Sequence, residues 1–317
     1  MKLGEIYKFF VKEGIVCDPR GKKVITKQLK DQKSKYRRLS KDDKSEFDLE
    51  SFKNPYADTR ILHGDSDREI KSILIGIDID VSELLLADKF NSIGKEIDLV
   101  IAHHPRGSAL AGFYDVMHMQ KDILVKFGMD GEVAKDFLEK RIKEVERSVL
   151  GANHNRAVDA ARLLDIAFMC VHTPADNHVN KYLNDFVKKK KPKMLKDLIK
   201  AIKQIPEYRL AAKDKAGPKI IIGKPEDKVG KLVLEMTGGT EGSKDLFARL
   251  SQLGIKTIVS MHLSEQHFAK AKPEHINAVV AGHISSDNLG LNLLLDKLEQ
   301  KDRFMVMGCS GFRRIRR

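Results

Sequence analysis

Residues 72–79 read SILIGIDI, residues 81–90 read VSELLLADKF, and residues 98–104 read DLVIAHH. The first and third runs are short, apolar and rich in Ile and Val, which is typical of buried strands. The run between them has the length and composition of a helix. This alternation predicts an α/β architecture with a largely parallel sheet.

The same alternation continues to the end of the chain. Further strand-like runs are IAFMCVH (166–172), PKIIIG (218–223), KLVLEM (231–236), KTIVSM (256–261), NAVVAGH (277–283) and RFMVMG (303–308). Helical segments separate them, and the pattern occurs on both sides of a lysine-rich linker at 188–203. We therefore predict two related α/β halves, residues 66–195 and 196–317, with mixed, largely parallel sheets flanked by helices. Residues 1–65 are interpreted as a basic, partly helical N-terminal extension.

The positive charge of the chain lies in two segments. The 317 residues include 58 Lys and Arg against 45 Asp and Glu, a formal net charge of +13. Residues 18–44 carry eleven basic and four acidic residues, and residues 187–203 carry eight basic and one acidic residue. The remainder of the chain is nearly neutral. Solvated helix faces are the favoured interpretation of both segments, although they could attract phosphates to a nearby site.

Composition excludes several classes of protein. With 42% apolar and 32% charged residues the chain is expected to be globular. No apolar run is long enough to span a membrane, and charged residues interrupt the N-terminal apolar positions, so we expect a cytoplasmic protein with no membrane partner. Three cysteines without CxxC spacing favour reduced thiols. The absence of Trp argues against an aromatic stacking surface for single-stranded nucleic acid.

Three strand-like runs end in histidine. LVIA precedes His103 and His104, FMCV precedes His172, and VVAG precedes His283. Ligands of α/β sheets bind at the carboxyl ends of the strands, so these histidines are expected to face one crevice. Pro105 favours the end of its strand, which would let both preceding histidines converge there and serve two neighbouring metal ions.

Two carboxylates accompany these histidines. Asp176 and Asp287 each follow a histidine by four residues. Imidazoles and carboxylates together suit zinc, iron, manganese or nickel and are too nitrogen-rich a set for calcium or magnesium. A single histidine of this kind is more often a partly buried polar residue, and an Asp after a strand is commonly a helix N-cap. The coincidence of three such motifs at strand ends favours a metal site over these alternatives.

The motifs resemble those of the Nif-three-like proteins, also described as GTP cyclohydrolase I type 2 homologues. That family has a strand ending in HHP, an HTxxD motif and a C-terminal GHxxSE motif, and the likeness extends over about residues 64–317. The family's final glutamate is an aspartate here. The resemblance implies a toroidal homohexamer in which two divalent metal ions per chain are held by His103, His104, Asp176, His283 and Asp287.

Hydrolysis is the chemistry expected of such a centre. Two neighbouring divalent ions can share a water, lower its pKa and clamp the oxygens of a transition state. We predict a metal-dependent hydrolase that acts on a small nucleotide-type substrate, at a ring carbon or at a phosphoester. His172 is assigned a catalytic role, in which it relays protons or orients Asp176 rather than binding metal.

Two alternatives to this hydrolase stay open. The chain could be a non-enzymatic metal-binding regulatory or interaction protein whose basic segments contact nucleic acid or protein. The motifs could also form a single structural metal site.

Secondary candidates rank below these motifs. The loop TGGTEGS at residues 237–243 could cradle a phosphate, but an ordinary glycine turn is favoured. His262, Glu265 and His267 follow the strand-like run KTIVSM at offsets that do not share one helical face. We expect these three residues to lie mostly on the surface.

Overall fold

The computed structural model describes residues 1–317. The strands are β1 (Arg60–His63), β2 (Ser72–Gly76), β3 (Leu99–Ala102), β4 (Ala167–Cys170), β5 (Lys219–Ile222), β6 (Lys231–Glu235), β7 (Ile255–Ser260), β8 (Asn277–Val280) and β9 (Met305–Cys309). The helices are α1 (Leu3–Cys17), α2 (Lys22–Arg38), α3 (Lys41–Ser45), α4 (Val81–Ser92), α5 (Gly107–Ala111), α6 (Met119–Lys126), α7 (Gly131–Leu150), α8 (Arg156–Leu163), α9 (Thr173–Lys190), α10 (Leu195–Ile202), α11 (Pro206–Lys213), α12 (Phe247–Gln252), α13 (Glu265–Ala271) and α14 (His283–Leu298).

The strands form two sheets of related topology. The first sheet has the order β1-β4-β3-β2-β9, and the second has the order β5-β8-β7-β6. In each sheet the first strand in the chain is an antiparallel edge strand, and the other strands pair in parallel. The first four strands of each sheet therefore share one spatial order. The predicted α/β fold with two related halves and mixed, largely parallel sheets is confirmed.

The local sequence accounts for the elements around β2. Every residue of β2, β3 and β4 is buried, as expected for parallel strands that are covered on both faces. The following helix α4 begins at a capping box between Asp80 and Glu83, in which the Glu83 carboxylate accepts from the Asp80 N–H at 2.8 Å. The Asp80 carboxylate also accepts from the Val81 N–H at 2.8 Å. These contacts satisfy backbone groups that a helix start would otherwise leave unpaired.

The N-terminal residues belong to the first half. Leu3, Ile6 and Phe10 of α1 are buried in the same core as the first sheet, and β1 extends that sheet at its edge. The last strand, β9, also pairs in the first sheet, although the sequence analysis grouped it with the second half. The three-part division of the chain stays a prediction, but α1, β1 and β9 pack with the first half although they lie outside residues 66–195. A local pattern identifies a strand and carries no information about its pairing partner.

Helices α9 and α14 join the two halves. Helix α9 follows β4 and α14 follows β8, the corresponding strands of the two sheets, and the two helices pack against each other. A Cβ atom at Gly290 would lie 2.6 Å from the Ala175 carbonyl oxygen, so glycine allows this close approach. The first turn of α9 consequently packs against the second turn of α14.

The two basic segments are largely helical. Ile25 is the buried residue of α2. The lysines and arginines of this helix are exposed to solvent. The segment predicted as a lysine-rich linker instead contains the end of α9, which continues to Lys190, and α10, which buries Leu195 and Leu198. A membrane-crossing helix would need greater length and apolar character than any helix here has.

Candidate metal centre

The predicted site residues lie at the carboxyl ends of β3, β4 and β8. There the structure brings together His103, His104, Asp176 and Asp287, as the strand-end rule predicted. His172 directly precedes α9, and His283 is the first residue of α14. The site therefore lies where the two halves meet.

The inner group consists of His103, His172 and Asp176, each of which is buried. One ligand atom from each lies within 4.8 Å of the others. The His103 Nε2 is 3.5 Å from the Asp176 Oδ1, and the His172 Nδ1 is 3.6 Å from the Asp176 Oδ2. The His103 Nδ1–H donates to the Val171 carbonyl at 3.0 Å, which leaves the Nε2 lone pair facing the carboxylate.

The outer group consists of His103, His104 and Asp287, whose ligand atoms also lie within 4.8 Å of one another. The Asp287 Oδ1 is 3.4 Å from the His103 Nε2, and the Asp287 Oδ2 is 3.5 Å from the His104 Nε2. The His104 Nδ1 is fixed by Asp78, at 2.8 Å. The His283 Nε2 lies 3.7 Å from the Asp287 Oδ2, at the solvent side of the group.

The atoms at the centre of both groups have no hydrogen-bond partner. They are the His103 Nε2, the Asp176 Oδ1 and both carboxylate oxygens of Asp287. Buried polar atoms without partners cost free energy, about 1–3 kcal/mol each. A divalent cation among them would satisfy these atoms at once. The donor set of imidazole nitrogens and carboxylate oxygens fits zinc, iron, manganese or nickel.

The inner group holds protons in the absence of a cation. Burial lowers the pKa of His103 to about 4, so this ligand is neutral. Burial raises the pKa of Asp176 to about 8. Burial also opposes the charge of His172, but the carboxylates of Asp176 and Asp58 outweigh it and raise the pKa to about 9. A metal ion bound here would take the place of protons.

The outer group has a different charge state. Burial alone would raise the pKa of Asp287, but the surrounding histidines outweigh it and hold the pKa well below its usual range. Burial opposes the charge of His104, whose pKa is nevertheless raised by Asp287. Burial lowers the pKa of His283. Asp287 is therefore an ionised carboxylate that is ready to bind a cation.

Asp58 is part of this site although the sequence analysis missed it. Its fully buried carboxylate accepts from the His172 Nδ1–H at 2.9 Å, from the Thr173 hydroxyl at 2.5 Å and from the Thr59 hydroxyl at 3.3 Å. The aspartate comes from the segment interpreted as an N-terminal extension, and no local pattern marks it. Asp58 thus completes the inner group, as the hydrogen-bond partner of His172.

Asp78 was missed although the sequence carries a signal for it, and His262 was ranked only as a secondary candidate. Asp78 lies two residues after the end of β2, and His262 lies two residues after the end of β7. Both occupy the strand-end position that led to the predicted histidines. The expectation that His262, Glu265 and His267 lie mostly on the surface is wrong for His267, which is buried, and incomplete for His262, whose ring lies 5.0 Å from that of His283.

The walls of the site come from both halves. The Phe113 ring packs edge-on against His172, with the ring centroids 5.6 Å apart. The loop 237–243 is held by the buried side chain of Gln120, whose amide donates to the Gly238 and Thr240 carbonyls at 2.7 and 2.8 Å. A cleft of about 50 Å³ lies between this loop and the residues His172, Asp176, His262 and His283.

A larger cavity lies nearby. It has a volume of about 740 Å³ and is enclosed by residues of the N-terminal 65, including Asn54 and Ala57, and by α6 and α7. Its charged lining side chains are of both signs, and none of them belongs to the inner or the outer group. The assignment of five metal ligands and of a catalytic His172 stays a prediction.

Comparisons with known proteins find one family model and several similar structures. The model of the family described as Duf34/NIF3 (NGG1p interacting factor 3) matches residues 142–309. The structure of a NIF3 superfamily protein from Sphaerobacter thermophilus is similar with a TM-score of 0.70 and 27% identity, over 80% of this chain and 91% of that chain. Reduced HcgD from Methanocaldococcus jannaschii has a TM-score of 0.46 and 18% identity, over 78% and 87% of the two chains. No curated protein sequence matches the chain.

Proposed function

We propose that this chain, which belongs to the Duf34/NIF3 (NGG1p interacting factor 3) family, is a metal-dependent hydrolase with a dinuclear centre that acts on a nucleotide-type substrate. One observation carries the proposal. The buried His103 Nε2 lies 3.5 Å from the Asp176 Oδ1 and 3.4 Å from the Asp287 Oδ1, and none of these three atoms has a hydrogen-bond partner. Such an arrangement is costly unless a cation binds between the groups.

The proposal assigns five ligands to two divalent ions per chain. The position of Asp287 supports two ions, because its Oδ1 faces His103 and its Oδ2 faces His104 and His283. One carboxylate can therefore serve both ions. The full set of proposed ligands is His103, His104, Asp176, His283 and Asp287.

Bound divalent ions lower the pKa of a coordinated water and stabilise negative charge that develops in a transition state. The residues of the chain contribute orientation and proton transfer. Asp58 fixes the ring of His172 through the Nδ1–H, and His172 lies 3.6 Å from the Asp176 carboxylate. In this position His172 orients Asp176 and holds a proton beside the reacting group.

Access to the centre is proposed to run through its outer end. His104 and His283 are partly exposed there, whereas His103 is fully buried. The substrate class rests on the resemblance to GTP cyclohydrolase I type 2 homologues. The lysines of α2 and of the segment 187–203 support it, because a positive field raises the local concentration of phosphate-bearing molecules.

Metal counting and turnover test the proposal together. We expect two ions per chain in the wild-type protein after supplementation with zinc, manganese, iron or nickel, and turnover of GTP or a nucleotide phosphoester only when metal is present. His104→Ala should lose metal and turnover. His275→Asn is a matched control, because His275 is exposed and precedes β8, at the end of the strand away from the site. A wild-type protein without bound metal after supplementation would contradict the proposal.

A second candidate function is a metal-binding interaction protein. The exposed basic side chains of α2 favour it, since this helix buries Ile25 and otherwise faces away from the core. Nucleic-acid binding that weakens with salt, and that is lost when lysines of α2 are replaced by glutamine while the metal content is unchanged, would support this function over hydrolysis. The homohexamer and the cytoplasmic location implied above stay predictions, and light scattering of the purified protein tests the former.

A further inference from the structure

Four histidine rings form a row through the site. From His103 to His104, from His104 to His283 and from His283 to His262 the ring centroids are 5.4, 5.1 and 5.0 Å apart. The side chain of His103 is fully buried, whereas that of His262 is 43% exposed. The row therefore leads from the core of the site to solvent, and its last member belongs to none of the three sequence motifs.

The ring of His262 is held in place by Glu241. The His262 Nδ1 lies 3.3 Å from the Glu241 Oε1, which also accepts from the Ser264 N–H at 2.7 Å. The Glu241 Oε2 is 3.3 Å from the Nδ1 of His267. Glu241 is thus fixed from two sides. The Nε2 of His262 has no hydrogen-bond partner in the protein, and its ring lies beside that of His283.

The same arrangement occurs at His104, which is a proposed metal ligand and has a carboxylate behind its Nδ1, from Asp78 at 2.8 Å. A carboxylate at one ring nitrogen is the usual support of a metal-binding histidine, because it fixes the tautomer and leaves the other nitrogen as the ligand. His262 and Glu241 repeat this arrangement at the outer end of the site.

We propose that His262 is an additional metal ligand, which binds the ion at the outer end of the centre together with His283, with Glu241 as its positioning residue. This inference rests on the proposed function, since it requires that the centre binds metal. The ion would be one that prefers imidazole, such as zinc. An ordinary surface ion pair between His262 and Glu241 is the competing explanation, and it predicts no effect of either residue on metal binding.

Zinc titration of matched variants tests the proposal. His262→Asn keeps a donor that can reach Glu241 and removes the Nε2, while His275→Asn makes the same change at the opposite end of the second sheet. We expect His262→Asn to weaken one of the two zinc ions by about 100-fold or more and Glu241→Gln to weaken it by about 10-fold. His275→Asn should bind both ions as the wild type does. X-ray absorption of the zinc-loaded His262→Asn protein should show one imidazole fewer.

The outcomes separate the two proposals. If the wild type binds two zinc ions and His262→Asn binds both with unchanged affinity, the assignment of His262 is overturned and the dinuclear centre stands. If the wild type binds no zinc, both proposals fail together. Thermal melting of the metal-free variants supplies the control for folding. Because His262 is partly exposed, we expect the melting temperature of His262→Asn to match that of the wild type.

Discussion

The two halves of the molecule place the same pair of residues at the same point and give them different environments. His172 directly precedes α9 and Asp176 lies in its first turn, whereas His283 begins α14 and Asp287 lies one turn later, with the same offset of four residues. The His172 side chain is 6% exposed, and that of His283 is 40% exposed. The pKa of Asp176 is raised to about 8, whereas that of Asp287 is lowered.

The surroundings explain this difference. Asp287 faces three histidines, and their combined attraction outweighs the cost of burial. For Asp176 burial is the larger effect, and the negative charge of Asp287 adds to it. The repeated topology thus determines where each carboxylate lies, and the packing around it determines its charge. The inner end of the site is closed by Asp58, and the outer end is open towards His262.

The largest effect is expected from removing the carboxylate that both ions share. Asp287→Asn should abolish binding of both ions, because its two oxygens face His103 on one side and His104 and His283 on the other. Asp176→Asn should lose the inner ion alone. Metal content of the two purified variants, measured by elemental analysis, checks this comparison.

Asp296→Asn is the control for these substitutions. Asp296 is on α14 as well and forms an ion pair with Arg314, remote from the metal ligands. We expect this variant to be less stable and to keep both ions. Equal metal loss in Asp287→Asn and Asp176→Asn would contradict the distinction between a shared and an unshared carboxylate.

A smaller effect is expected from the residues that support the histidines. Asp58→Asn should weaken the inner ion by about 10–100-fold, because the amide cannot fix the charged His172 ring as the carboxylate does. Asp78→Asn is the matched change behind His104, and a weaker effect is expected because Asp78 is 54% exposed. Zinc affinities of the two variants provide the measurement. A larger loss in Asp78→Asn than in Asp58→Asn would contradict the closed and open ends described above.

The smallest effect is expected from pH. Because the pKa of Asp176 is about 8, the metal-free carboxyl is protonated near pH 7 and must lose its proton when a cation binds. The affinity for the inner ion should therefore rise with pH, by about fivefold between pH 7 and pH 8 for one displaced proton, and level off above the pKa. Asp287 is already ionised and adds no such dependence. Calorimetry in buffers of different ionisation enthalpy measures the proton release, and an affinity that does not change with pH would contradict it.

Much of the site follows from the strand-end rule. Apolar runs that end in His103, His172 and His283 are recognisable locally, because a buried strand has a continuous apolar pattern and its carboxyl end faces the ligand-binding edge of the sheet. The same rule extends to Asp78 and His262. It does not extend to Asp58, which follows no apolar strand-like run and whose position depends on the packing of α1 and β1 against the first sheet.

The sequence by itself determined the α/β class, the two related halves and the residue types that converge at the strand ends, because periodicity and composition are properties of short segments. The tertiary structure alone decided that β1 and β9 belong to the first sheet, that Asp58 completes the inner group, and that Glu241 and His262 stand beside His283. It also decided which of the two equivalent carboxylates is ionised. Pairing partners, burial and charge balance depend on residues that are distant in the chain, and only folding brings these together.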